Sequence, residues 1–220
     1  ARSSARNYAI SARGFNNVFA NKLLVLIDGR AVYSPLFSGV FWDAQDVMLE
    51  DIEQIEAISG PSATVWGANA VNGVINITTR SAAQTQGGLV SIGTSVRESH
   101  TAARYGGELA NGGHYRVYAK HGQHDDIQHS DGTFSETGWH RTQAGFRTDW
   151  SAGKDSITLQ GDTYTGHLNQ AGTADIEIMG ANILGKIDRE LTQDSTISFQ
   201  AYFDHTQRHQ PESFAEHLNT

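Results

Sequence analysis

Two kinds of hydrophobic patterning divide this chain. Up to about residue 82, short apolar runs are broken by turn residues and helical stretches. Tyr8 to Arg13 reads as a strand ending at Gly14, and the unbroken apolar run Leu23 to Ile27 reads as a buried strand stopped by the turn pair Asp28-Gly29. An aromatic loop follows, with Tyr33, Phe37, Phe41 and Trp42. Residues 46–51 predict a short helix and 55–59 a strand, and Pro61 suits the first turn of another short helix, where its missing N–H costs nothing. The β-branched stretch 73–79 predicts a closing strand.

From Gly87 onward the period becomes two. Val90, Ile92 and Thr94 alternate with polar or small residues, as do Ala103, Tyr105 and Gly107, then Tyr115, Val117 and Ala119. The same alternation returns at Ala144, Phe146, Thr148 and Trp150, at Ile157, Leu159 and Thr163, at Ala181, Ile183 and Ile187, and at Ile197, Phe199 and Phe203. These segments predict about seven consecutive antiparallel strands with no helix between them. Short turns at 111–113, 151–154 and 192–194 alternate with longer polar loops at 121–137 and 166–177. Short turns on one rim and long loops on the other are how outer-membrane barrels are built. A soluble β-sandwich also alternates, and both readings stand at this point.

Composition narrows the choice of function. The chain has 16 basic and 24 acidic residues, a formal charge of −8, and no cluster of Lys and Arg, which argues against a nucleic-acid partner. With no cysteine, disulfides and thiolate metal sites are excluded. No apolar run approaches the roughly 20 residues of a transmembrane helix, a fact that leaves a membrane barrel open. Twenty-three glycines against three prolines fit a turn-rich β chain.

Three ordered motifs then carry a resemblance. Ala12-Arg13-Gly14-Phe15, Leu24-Val25-Leu26-Ile27-Asp28-Gly29-Arg30, and the run from Ile52 to Arg80 containing Ser59-Gly60-Pro61 and Trp66-Gly67-Ala68-Asn69-Ala70-Val71-Asn72-Gly73-Val74-Ile75-Asn76-Ile77 resemble the plug domain of TonB-dependent outer-membrane receptors. The implied fold is an α+β plug, a small mixed sheet with short helices over residues 1–82, followed over 83–220 by antiparallel transmembrane β-barrel strands forming a partial barrel. The family's barrel has about 22 strands, so the resemblance reads these 220 residues as part of a longer protein, with the TonB-binding segment outside them. Ser59 stands where many members carry an Arg that helps hold plug to barrel. Glu53 and Glu56 are then either partners for barrel arginines or solvated strand-edge carboxylates.

The resemblance implies a receptor in the outer membrane of a Gram-negative bacterium. Its partners are outer-membrane lipid, TonB and a scarce extracellular solute, a ferric siderophore above all. Cobalamin, haem or a glycan are alternative cargoes, and a mainly signal-transducing receptor or an adhesin-like barrel are alternative roles. Two plug loops are candidate cargo contacts: Phe15, Asn16, Asn17 and Phe19 on one, and Tyr33, Phe37, Phe41 and Trp42 on the other. Aromatics exposed in a cavity stack on flat ligands, while the same residues in a core simply pack. His121, His124 and His129 with Asp125, Asp126 and Asp131 have loose metal-ligand spacing that a solvated polar loop explains as well. No nucleophile elbow or phosphate-binding glycine loop is present, and neither a cofactor nor a catalytic function is expected.

Overall fold

The computed structural model describes residues 23–220 apart from 35, 37, 38, 61–65, 68, 69, 111, 129, 212 and 213, and apart from the side chain of residue 214. The strand expected over Tyr8 to Arg13 and the helix expected from Pro61 lie outside the described residues. The chain divides into two compact units between Arg80 and Ser81.

The first unit is built on a four-stranded mixed sheet in the order β2-β1-β4-β3, from β1 (Leu23–Ile27), β2 (Arg30–Ala31), β3 (Ile52–Ser59) and β4 (Gly73–Thr79). β1 lies parallel to β4, with Leu23 opposite Gly73 and Ile27 opposite Ile77. An unbroken apolar run is what a strand covered on both faces needs. Accordingly, Leu24 and Leu26 pack with Ala70 and Val74 on one side, while Val25 and Ile27 pack with Val32 and Val40 on the other. Asp28 and Gly29 both take positive φ, 51° and 81°, to reverse the chain into β2. The Asp28 carboxylate accepts the Thr79 N–H and the Thr79 hydroxyl, each at 2.8 Å, so the turn is fastened to the end of β4.

The helix expected over 46–51 shrinks to a 3-10 turn at Leu49–Asp51. Burial explains the loss: Met48 is 2% exposed and Val47 packs on the core cluster, and both are held in the approach to the turn. The chain then passes directly into β3, and the Asp51 carbonyl accepts the Arg80 N–H at 2.8 Å.

The second unit is an eight-stranded antiparallel meander in which each strand pairs with the next in sequence. Its strands are β5 (Gly87–Thr94), β6 (Glu98–Glu108), β7 (His114–His124), β8 (Trp139–Ala152), β9 (Asp155–Leu168), β10 (Ile176–Thr192), β11 (Ser195–Gln210) and β12 (Phe214–Asn219). The count is eight rather than about seven because β12 was not expected. Its positions on the apolar side of the sheet are Ala215, His217 and Asn219, which leave no hydrophobic alternation to see.

The register puts every predicted apolar set on one face. One row runs Tyr105, Val117, Phe146, Gly161, Ile183 and Phe203, and two rows nearer the short turns another runs Trp150, Ile157, Ile187 and Phe199. This face stays open: Phe199 is 66% exposed, Ile197 58% and Tyr105 56%. The opposite face is polar yet buried, with Arg116, Arg141, Gln143 and Arg208 all under 9% exposed. A sandwich in water has the reverse arrangement. Strands of 14, 14, 17 and 16 residues (β8 to β11) also exceed the usual 3–10 of soluble sheets. No described helix is long and apolar enough to cross a membrane, which says nothing of crossing by strands.

A 3-10 turn at Ala82–Thr85 opens this unit and lies on the polar face of β6 to β8. A capping box between Ser81 and Gln84 sets its start. Gly106 makes room for it, since a Cβ there would overlap the Thr85 carbonyl oxygen. Gly106→Val is therefore expected to push the turn off the strand and cost about 1–3 kcal/mol. Urea unfolding of the full-length protein checks it, with Gly88→Val as the control, because a Cβ at Gly88 meets nothing within 4 Å.

Candidate functional site

In the first unit the candidate surface is the loop from Tyr33 to Trp42. An antiparallel bridge between Ser34 and Gly39 closes it, with the Ser34 N–H donating to the Gly39 carbonyl at 2.7 Å. Tyr33 and Leu36 are exposed on it, at 43% and 57%. Trp42 goes the other way and packs on the Val25, Ile27, Val32 and Val40 cluster at the base of the loop. Phe41 is half-buried, and its carbonyl accepts the Ala44 N–H at 3.0 Å to turn the chain. Phe15, Asn16, Asn17, Phe19 and Phe37 lie outside the described residues. The described part of the site is thus one exposed aromatic on a braced loop with an indole under it.

Elsewhere in this unit the two candidate latch carboxylates differ. Glu53 is exposed, whereas Glu56 accepts the Asn76 side-chain N–H at 2.9 Å across the β3–β4 pair.

In the second unit the polar face carries a connected wall. The Tyr118 hydroxyl donates to the Asp162 carboxylate, and the Gln143 amide donates to the Tyr118 oxygen at 2.7 Å. Arg141 donates to the Gln143 carbonyl oxygen at 3.0 Å and lies 4.4 Å above the Tyr164 ring. Gly145 sits between Tyr118 and Asp162 in the register, and a Cβ there would overlap the carboxylate. Arginine stacked on tyrosine and bonded to an amide is held in place, and Tyr118, Gln143 and Asp162 bond one another within the wall. Such a surface suits the water-filled side of a barrel.

The two long loops are laced together above this wall. Asp126 accepts the Gly138 N–H at 2.6 Å and the Asn169 side-chain N–H at 3.1 Å, and Glu136 accepts the Gly172 N–H at 3.0 Å. Asp131 accepts from the Thr133 hydroxyl and N–H, which hold its carboxyl below the ordinary value. His124 sits 3.3 Å from Glu98 on the polar face, while His121 is on the apolar face against Thr142. Two of the three loop carboxylates that suggested a metal, Asp126 and Asp131, are therefore engaged in loop architecture. Among the described residues no group of three or more His, Cys, Asp or Glu is placed to hold a metal ion, and His129 lies outside them. The wall and the lacing were both invisible in sequence, because each joins residues that only the register brings together.

Comparison with known proteins agrees with this geometry. The family model of the TonB-dependent receptor plug domain matches residues 1–74. The vitamin B12 transporter BtuB of Vibrio vulnificus is 36% identical over 93 residues, covering 41% of this chain and 14% of that protein. The probable TonB-dependent siderophore receptor PirA of Acinetobacter baumannii is 26% identical over 218 residues, covering 86% of this chain and 28% of its own length. Among solved structures, the siderophore receptor PirA from Pseudomonas aeruginosa superimposes with a TM-score of 0.63 at 21% identity, over 86% of this chain and 33% of that one, a likeness of fold. The chain spans less than a third of the length of the two curated relatives.

Proposed function

Because this chain belongs to the TonB-dependent receptor family, a plug domain followed by strands of its β-barrel, we propose that the whole protein binds a ferric siderophore outside the cell and carries it across the outer membrane of a Gram-negative bacterium with energy supplied through TonB. The relatives in this family are receptors and transporters rather than enzymes. The observation that carries the reading is the inverted sheet, with an open apolar face for lipid and an arginine-bearing polar face for water. The choice of cargo is supported by the siderophore receptors among its relatives and structural neighbours. The 36% identity to a vitamin B12 transporter favours cobalamin as the second reading.

On this proposal the loop of Tyr33, Phe37, Phe41 and Trp42, with Phe15, Asn16, Asn17 and Phe19, forms the cargo contact of the plug. Tyr33 offers its ring to the cargo, and Trp42 braces the loop from below. Titration of the full-length receptor by intrinsic Trp fluorescence tests it. A ferric siderophore should quench saturably and its metal-free form should not. Tyr33→Ala should weaken binding about threefold to tenfold, the equivalent of ~1 kcal/mol for one aromatic contact. Response to cobalamin alone would keep the receptor and replace the cargo, and unchanged affinity in Tyr33→Ala would remove this loop from the site.

A further inference from the structure

Six of the ten histidines gather at one end of the apolar face. The row nearest the long loops runs Ser99, Gln123, His140, His167, Glu177 and His209. Directly below it lie His121 and His217, and one row further His205. His140 and His167 stack with centroids 4.9 Å apart, and His121 follows at 6.4 Å from His140. His140, His209 and His217 are exposed. We propose that this histidine band docks the phosphate monoesters of outer-leaflet glycolipid when its imidazoles are protonated.

The inference rests on the membrane reading above, because that reading places the end of the apolar face beside lipid headgroups. At this level a barrel usually carries aromatic side chains with an apolar body and a polar tip. A neutral imidazole fills that role, and a protonated one adds charge and a second N–H donor, the chemistry that a phosphate accepts. The groups facing the band are few. β6 offers only Ser99 and Thr101, β7 to β9 offer the histidines themselves, and β11 and β12 likewise. The one carboxylate within it is Glu177 on β10, with Asp175 just ahead. The described strands place no Lys or Arg on the rows of this band, where positive charge comes from histidine, and Arg97 is exposed in the hairpin just ahead of Ser99.

Below the band, small residues open a hollow of about 340 Å³ lined by Thr142, Ala144, Thr163, Thr165, Ala181 and His205. A lipid has both parts that this surface offers places for, a charged head at the imidazoles and an acyl chain over the hollow. A metal is not the occupant the geometry favours, since no described group of three ligands converges.

The test uses the full-length receptor in phosphatidylcholine vesicles with or without diphosphoryl lipid A. Thermal unfolding is read at about pH 5.5 and about pH 7.5, on either side of the ordinary histidine value. The lipid should raise the midpoint at the lower pH and not at the higher, and a dephosphorylated lipid A should do neither. The triple variant His140→Gln, His167→Gln and His209→Gln should lose the gain. An equal gain at both pH values, from the dephosphorylated lipid, or in the triple variant would overturn the proposal. So would the same gain from inorganic phosphate without the glycolipid. A receptor that fails to float with the vesicles would overturn the membrane reading and this inference together, whereas insertion without a phosphate effect would overturn the inference alone.

Discussion

Phe203→Lys should cost the full-length protein about 2–4 kcal/mol of folding stability in a lipid bilayer, the range for a Lys near the middle of a barrel's lipid face. Phe203 is opposite Ile183 on β10, and Ile183 is midway between Arg189 toward the short turns and Glu177 toward the long loops. Those ends carry the only charges on the outward rows of the described strands, Glu177 at one and the Asp155–Arg189 pair, 2.9 Å apart, at the other. Between them the face is uncharged, as a hydrocarbon layer requires. Phe199→Lys, nearer the Arg189 end, should cost less. Gln200→Lys, on the polar face, should cost little. Reversible unfolding from liposomes measures all three, and equal costs for Phe203→Lys and Gln200→Lys would defeat the assignment of faces.

A second large effect is expected at Asp149. Its carboxylate accepts the Ala82 N–H at 2.6 Å, the Arg147 Nε–H at 2.9 Å and the Thr158 hydroxyl at 2.7 Å. Both charged partners are mostly covered, at 14% and 16% side-chain exposure. Asp149→Ala removes an acceptor from three donors and leaves Arg147 without this carboxylate, a loss of about 2–4 kcal/mol. Asp149→Asn keeps the shape and one carbonyl oxygen, and should lose about half of that. Because Ala82 opens the 3-10 turn, amide exchange at Ala82–Thr85 should quicken in both variants, more in the alanine. Unchanged exchange there would mean that the turn is held by its own capping box and by packing on β6.

The strands were legible because a two-residue period survives in the sequence wherever one face is apolar. Tyr105, Phe146, Ile183 and Phe203 mark that face without any structure. β12 was lost for the same reason, since Ala215, His217 and Asn219 give the period no hydrophobic member. The polar wall could not be read, because Arg141, Tyr118 and Asp162 belong to three strands and meet only once the register is fixed. A one-residue slip would have put them on opposite faces. The loop carboxylates illustrate a different limit. Asp126 and Asp131 look like ligands in one dimension, and in three they are taken up by Gly138, Asn169 and Thr133. In the plug, the aromatic loop was visible as a cluster, but its division into an exposed Tyr33 and an inward Trp42 depends on where the β1 core lies.

The central claim, that this sheet is a membrane wall with its apolar side toward lipid, meets its most direct test along β10. This chain has no cysteine, so single cysteines introduced into the receptor at successive positions from 178 to 188 carry a nitroxide label to sites of known face. Labels at 179, 181, 183, 185 and 187 in liposomes should collide with oxygen, and labels at 182, 186 and 188, the half-exposed positions of the polar face, with a water-soluble nickel chelate. That two-residue alternation, in this phase, is the predicted result. Opposite phase, or uniform access of the nickel chelate to both sets, would contradict it.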